Sequence, residues 1–323
     1  MKKYLIIVIT CLPLALFSQK ENDKPSQAEV EEKLLEVFED ENFKEGFKDA
    51  IINVKLITEE NYEELIKHNT KSIKKNKKNE SAYTYRATGY YFLEQYDKAL
   101  VDINKALKIK KSAGSYHIKA NCHFALNQYD DVIEASQIII KDFRDYKELA
   151  LVIWGLGMAE FEKSIYKEAI SNFKKYYIMT NDASGQSYIG YSHILLEEFE
   201  EGVKVLNSIK DEAVKDHMYY EYLGSGYKSL QNNEASKIAY LKANELSKGA
   251  HDYEVAQGYF NTQEYVKAAE YHTKYINTGN DDIHVSHYYR GVSYFQLDRY
   301  DEALADLRSM RLKILSIQKC NTI

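Results

Sequence analysis

The sequence has 323 residues, 45% hydrophobic and 28% charged, with two prolines and 14 glycines beside 29 tyrosines. That apolar share excludes intrinsic disorder, and so few prolines and glycines leave β-sandwiches, barrels and propellers without the turn residues they need every ~8–12 positions. Forty-three basic against 49 acidic residues give a net charge of −6, and only six of the basic ones are arginine, which excludes wholesale nucleic-acid binding and makes poor phosphate clamps.

At the N-terminus Lys2 and Lys3 precede an apolar run over residues 4–17, and Ser18 then opens a polar stretch. This is the order of a secretory signal peptide occupying 1–18, and the run is too short to span a bilayer. Cleavage after Ser18 removes two lysines and takes the net charge from −6 to −8. Lipidation at Cys11 competes with this reading. It is disfavoured because Thr10 stands where such signals carry a small residue, and few apolar residues precede the cysteine. The protein is expected to be secreted into the periplasm, with no transmembrane segment in the mature chain. Cys11, Cys122 and Cys320 build neither a disulfide framework nor a paired metal site, and Cys122 reads as a small buried hydrophobe.

Residues 19–45 form an N-terminal segment. Within it Ser26 and Glu29 suggest a capping box, and Val30, Leu34, Val37 and Phe38 share one helical face, so a capping helix is expected over 27–39. From residue 46 the chain repeats itself. A small residue recurs at Ala87, Ala120, Gly157, Gly190, Gly224, Ala256 and Gly291, at intervals of 32 to 37 residues. Twelve residues after each stands Ala99, Val132, Ala169, Gly202, Ser236, Ala268 or Ala303. Bulk at both members would force two helices of one hairpin apart. Three residues before the second member comes a ring at Tyr96, Tyr129, Tyr166, Phe199, Tyr265 and Tyr300, with Asn233 the exception. A weaker copy near Gly46 has Asn53, Tyr62 and Leu65 in these roles, and the longest interval marks an insertion around 141–149. The array is expected over 46–317, followed by a tail over 318–323.

These copies, clearest over residues 83–107 and 288–304, resemble the tetratricopeptide repeat. The resemblance implies an all-α fold, a right-handed α-solenoid of seven or eight helical hairpins. It departs from the family in lacking the proline that often ends a unit, and in placing Glu160, His123 and His193 where an aromatic is usual. It also implies that first-helix positions line a concave, partner-binding groove. Carried over, these are Thr84, Thr88 and Tyr91; His117, Asn121 and Phe124; Trp154, Met158 and Phe161. The second half supplies Tyr191, flanked by Ser187 and Ile194; Tyr253, Gln257 and Phe260; and Tyr288 and Phe295, with Val292 between them. Glu221, Ser225 and Lys228 complete the set. Aromatic rings with hydroxyl and amide neighbours suit an extended peptide or a helix.

Chemistry is not expected. The sequence has no metalloprotease, nucleophile-elbow, P-loop or dinucleotide-binding motif, no cofactor is implied, and His284 with His287 is only half a metal site. Lys71, Lys74, Lys75, Lys77 and Lys78 read as a solvated helix end. The whole describes a non-catalytic scaffold of the bacterial cell envelope that binds a protein or peptide. Two alternatives stand beside it: a structural subunit self-associating through its apolar C-terminal helix, near 298–317, and the ectodomain of a longer sensor.

Overall fold

A computed structural model of the chain describes residues 41–279 and 283–320. The expected leader, the lipidation reading at Cys11, the capping helix and residues 321–323 lie outside them. Among the described residues there are sixteen α-helices and no strand. The chain forms two compact units that divide between Ile165 and Tyr166.

The first unit contains α1 (Glu41–Thr58), α2 (Tyr62–Lys75), α3 (Glu80–Phe92), α4 (Tyr96–Ile109), α5 (Ala113–Ala125), α6 (Tyr129–Asp142) and α7 (Leu149–Glu162). The second contains α8 (Tyr166–Thr180), α9 (Ala183–Leu195), α10 (Phe199–Ser208), α11 (His217–Ser229), α12 (Asn233–Leu246), α13 (Asp252–Asn261), α14 (Tyr265–Asn277), α15 (Ile283–Gln296) and α16 (Tyr300–Cys320). Within each unit, every helix packs on its neighbour in the chain. The described helices begin at Glu41, ahead of the expected start at 46, and α16 runs through Cys320, past the expected end at 317.

The helices follow from the repeated spacing. Where both members of the small pair are glycine, the backbones meet: a Cβ on Gly202 would lie 3.1 Å from the carbonyl oxygen of Gly190 and 2.7 Å from Ile194. Ala87 with Ala99, and Ala256 with Ala268, are likewise sealed between their helices. In the next hairpin of the second unit, the Ser236 hydroxyl donates to the Gly224 carbonyl at 2.9 Å. The weak copy near Gly46 is a helix pair too. Its buried Asn53 accepts a 2.6 Å hydrogen bond from Asn69, so a polar residue in the small position is satisfied instead of excluded.

Each first helix ends in the same turn. Glu60, Glu94, Asn127, Ser164, Glu197, Gln231, Gln263 and Asp298 all have φ between 54° and 63°, and each stands two residues before the next helix. The Glu94 amide donates to Tyr91 and the Gln95 amide to Tyr90, and the same bond pair recurs in the other turns. This is a Schellman cap with a left-handed residue outside the helix, a position that favours glycine, filled eight times by something else. In α4, α6, α14 and α16 the ring opening the second helix packs on the ring five residues earlier, as in Phe124–Tyr129 at 5.6 Å and Phe260–Tyr265 at 5.8 Å.

Two arginines tie hairpins together. Arg86 donates through Nε and Nη2 to buried Asp102 at 2.6 and 2.9 Å, and through Nη1 to Thr70 on α2. Arg290 repeats the arrangement with Asp306 and with Thr273 on α14. In both, the bidentate contact to a carboxylate raises the guanidinium pKa further.

Gly224→Leu should cost about 1–3 kcal/mol, since even a Cβ there would stand 3.0 Å from the Tyr240 ring; a urea denaturation midpoint equal to wild type would contradict the register. Glu197→Gly should raise that midpoint by about 1 kcal/mol of stability, because glycine adopts the left-handed conformation without a Cβ clash; a lower midpoint would mean that the turn's strain has been misread.

Candidate functional site

The first helices α3, α5 and α7 each carry a stripe at three positions before, one after and four after the small residue. This spacing keeps a stripe on one face of a helix. Between the three stripes lies a cleft of about 300 Å³. It brings together six of the expected residues: Tyr91 from α3, His117, Asn121 and Phe124 from α5, and Trp154 and Met158 from α7. Ile118, Ala120, Val132 and Val152 form its buried apolar floor. The cleft is thus mostly greasy, with the Asn121 amide and the His117 ring among its polar points.

His117 is held from a side that sequence reasoning missed. Its Nδ1 stands 3.1 Å from the Tyr146 hydroxyl and 3.6 Å from the Glu148 carboxylate, and the Tyr146 hydroxyl donates to Glu148. The Tyr146 ring meets the imidazole edge to face at 5.8 Å. Both partners lie in the extra residues between α6 and α7. The unusually long repeat interval was the available signal, because an insertion that carries a tyrosine and an acid has something to touch.

At the N-terminal end of the α3 stripe, Thr84 shares a hydroxyl cluster with Ser115 at 2.8 Å, and Glu80 accepts from Ser112, Ser115 and Thr84 at 2.7, 2.9 and 3.2 Å. Behind the cleft, Cys122 packs with Ala87, Ala99 and Ile103. Burial pushes its thiol up to about 12, and burial next to Cys122 and Tyr96 pushes the Tyr91 phenol to about 12 as well.

Other expected groove residues sit elsewhere. Thr88 is a correction: it is 1% exposed and its hydroxyl donates to the Thr84 carbonyl, so it belongs to the α3 packing and is closed to a partner. Tyr191 is a second correction. It is 2% exposed, stacked on Tyr222 at 4.4 Å and flanked edge-on by Tyr188, and burial drives its phenol pKa upward. Its neighbours Ser187 and Ile194 are buried too. Phe161 is half-buried, one turn beyond Met158 on α7.

In the second unit Tyr253 packs against His272 and Tyr275. Gln257 is half-buried, with its Nε2 enclosed and without a hydrogen-bond partner. Phe260 meets Tyr289 of the following hairpin at 5.0 Å, a structural contact. Tyr288 and Phe295 are exposed. A cleft in this unit lies between α11, α12 and α14, bordered by Tyr220, Tyr227, Ile238 and Tyr271, and none of the expected groove residues lines it. His287 Nδ1 is engaged by Asp306 at 2.8 Å.

Among the described residues no cluster of three or more His, Cys, Asp or Glu is placed to hold a metal ion, and no helix is long and apolar enough to cross a membrane.

A family model described as anaphase-promoting complex, cyclosome, subunit 3 matches residues 58–137, from the end of α1 into α6. Three solved structures share the fold. PilW, a widely conserved type IV pilus biogenesis factor, is 15% identical, with a TM-score of 0.53 over 65% of this chain and 96% of its own. A tetratricopeptide repeat protein from Parabacteroides merdae is 13% identical, with a TM-score of 0.51 over 76% of this chain and 97% of its own. The C-terminal part of a repeat-containing protein of the same kind from Cytophaga hutchinsonii is 18% identical, with a TM-score of 0.50 over 79% and 98%. No curated protein matches the sequence.

Cys122 should resist alkylation at pH 8 in the folded chain and react on unfolding, because its thiol is buried and its pKa lies far above that pH. Peptide-resolved mass spectrometry after iodoacetamide treatment separates it from the other cysteines; rapid native labelling at Cys122 would show that the layer behind the cleft is open.

Proposed function

We propose that this tetratricopeptide-repeat protein is a non-catalytic scaffold that binds a peptide segment of a partner protein in the cleft between α3, α5 and α7. One observation carries the reading: six side chains from three consecutive first helices converge on one largely apolar cavity, and an amide and a fixed imidazole are among its polar points. A volume of about 300 Å³ takes one bulky apolar side chain as an anchor, while Asn121 offers a donor and an acceptor to the backbone beside it. Trp154 is the only tryptophan, and a half-buried tryptophan in such a wall is the residue type that dominates binding energy at protein interfaces.

The place of action follows from the leader: Lys2, Lys3 and the apolar run to Phe17 direct the chain across a bacterial inner membrane, so the partner is a protein of the cell envelope.

Affinity capture by the exported protein, wild type against Trp154→Ala with Met158→Ala, tests the cleft. Loss of two central contacts worth about 2 kcal/mol or more should weaken recovery of the cleft partner by about 30-fold, with helix content unchanged by circular dichroism. Equal recovery of the same partners by both proteins would remove the cleft as the docking site.

A further inference from the structure

Charge is unevenly spread over the turns that join each second helix of the first unit to the next first helix. Residues 71–80, spanning the end of α2 and the start of α3, hold five lysines and one acid. Residues 105–112, from the end of α4 to the start of α5, hold four lysines and no acid, in a chain whose net charge is −6. The single acid, Glu80, is turned to the hydroxyls of Ser112 and Ser115, which donate to it at 2.7 and 2.9 Å. That contact sets the two lysine-rich turns side by side, because Glu80 opens α3 and Ser112 immediately precedes α5. Later turns mix the signs, as in Lys141 beside Asp142, Arg144 beside Asp145 and Lys210 beside Asp211.

Helix ends account for only part of this. A lysine in a last turn answers the helix dipole, which covers Lys74 on α2 and Lys108 on α4. Lys77, Lys78, Lys110 and Lys111 lie beyond the helices. All six are exposed, and none has an ion-pair partner among the described residues. Neither run contains an arginine, whose planar fork would grip individual carboxylates or phosphates; lysines are mobile point charges that suit a diffuse anionic surface. Among them stands Ile109, the last residue of α4, 40% exposed between Lys108 and Lys110. Cations around an exposed aliphatic group fit a bilayer, where the lysines meet headgroups and the aliphatic group reaches the acyl boundary. An acidic protein segment would answer the charges alone. We propose that this edge of the first unit docks the protein on an anionic lipid membrane, with the lysines of both turns on the headgroups and Ile109 dipping between them.

Co-flotation of the exported protein with lipid vesicles at low salt tests this, with circular dichroism as the check on folding. The wild type should bind vesicles of equal parts phosphatidylcholine and phosphatidylglycerol far better than vesicles of phosphatidylcholine alone, and added salt should release it. A lysine near an anionic surface is worth about fivefold in affinity, so Lys77→Gln, Lys78→Gln, Lys110→Gln and Lys111→Gln combined should weaken binding by about 100-fold or more. Ile109→Ser should weaken it by about 3-fold. A second set with the same change in net charge, Lys98→Gln, Lys167→Gln, Lys204→Gln and Lys267→Gln, removes exposed lysines away from these turns and should bind within about 3-fold of wild type. A wild type that does not prefer the anionic vesicles, which would leave the lysines to an acidic protein, overturns the proposal. So does a turn-lysine variant or an Ile109→Ser variant that binds as the wild type does, or a second set that loses as much as the first. None of these results bears on the cleft between α3, α5 and α7.

Discussion

Within each hairpin, two backbones can approach only as closely as the residues between them permit, and the other distances of the repeat follow from that contact. A first helix that presents Ala or Gly little more than one turn before its end, a three-residue Schellman turn, and a second helix that presents its small residue on its first turn together take twelve residues. Lengthening the turn by one residue would rotate the second helix by roughly a quarter turn and carry the small residue out of the contact. The Gly190–Gly202 pair shows the limit, with no room for a Cβ on either side. The Asn53 pair shows the tolerance, since polarity is accepted when Asn69 answers it.

The cleft is a consequence of this register. Because α3, α5 and α7 carry their stripes at the same offsets from a small residue, those positions come to lie side by side, and a stripe that is unremarkable on one helix becomes a wall when three helices carry it. What distinguishes this cleft from a generic groove is the segment between α6 and α7. By bringing Tyr146 and Glu148 onto His117, it turns a rotatable imidazole into an oriented one, and a fixed donor or acceptor costs less entropy on binding than a mobile one. In the second unit the same offsets lead elsewhere. Aromatic residues there are numerous enough to stack on one another, so Tyr191 is consumed by Tyr222, and Phe260 by Tyr289.

Much of this was legible in the sequence because it rests on spacing. The helix pairs, their order and the ring that opens each second helix could be read from intervals, and six residues of the cleft came from carrying a family pattern onto those intervals. What was not legible depends on partners far apart in the chain. Thr88 and Tyr191 occupy groove offsets, and only their packing neighbours decide that they are sealed. The left-handed turn residues were hidden because none is glycine; Glu, Gln, Ser, Asn and Asp stand there without a common chemical mark. The Arg86–Asp102 and Arg290–Asp306 ties left a faint trace, an arginine just before the small residue and an aspartate sixteen positions on, visible only by comparing the two clearest copies.

The central claim is that a partner peptide lies against the stripe positions of α3, α5 and α7. The most direct measurement replaces Asn121 in the cleft and, separately, exposed Val101 on α4 with a photo-reactive phenylalanine, and maps the cross-links formed with partner proteins. The account predicts a discrete adduct from position 121, joined to one peptide of one partner, and none from 101. Adducts from 101 without any from 121 would contradict it.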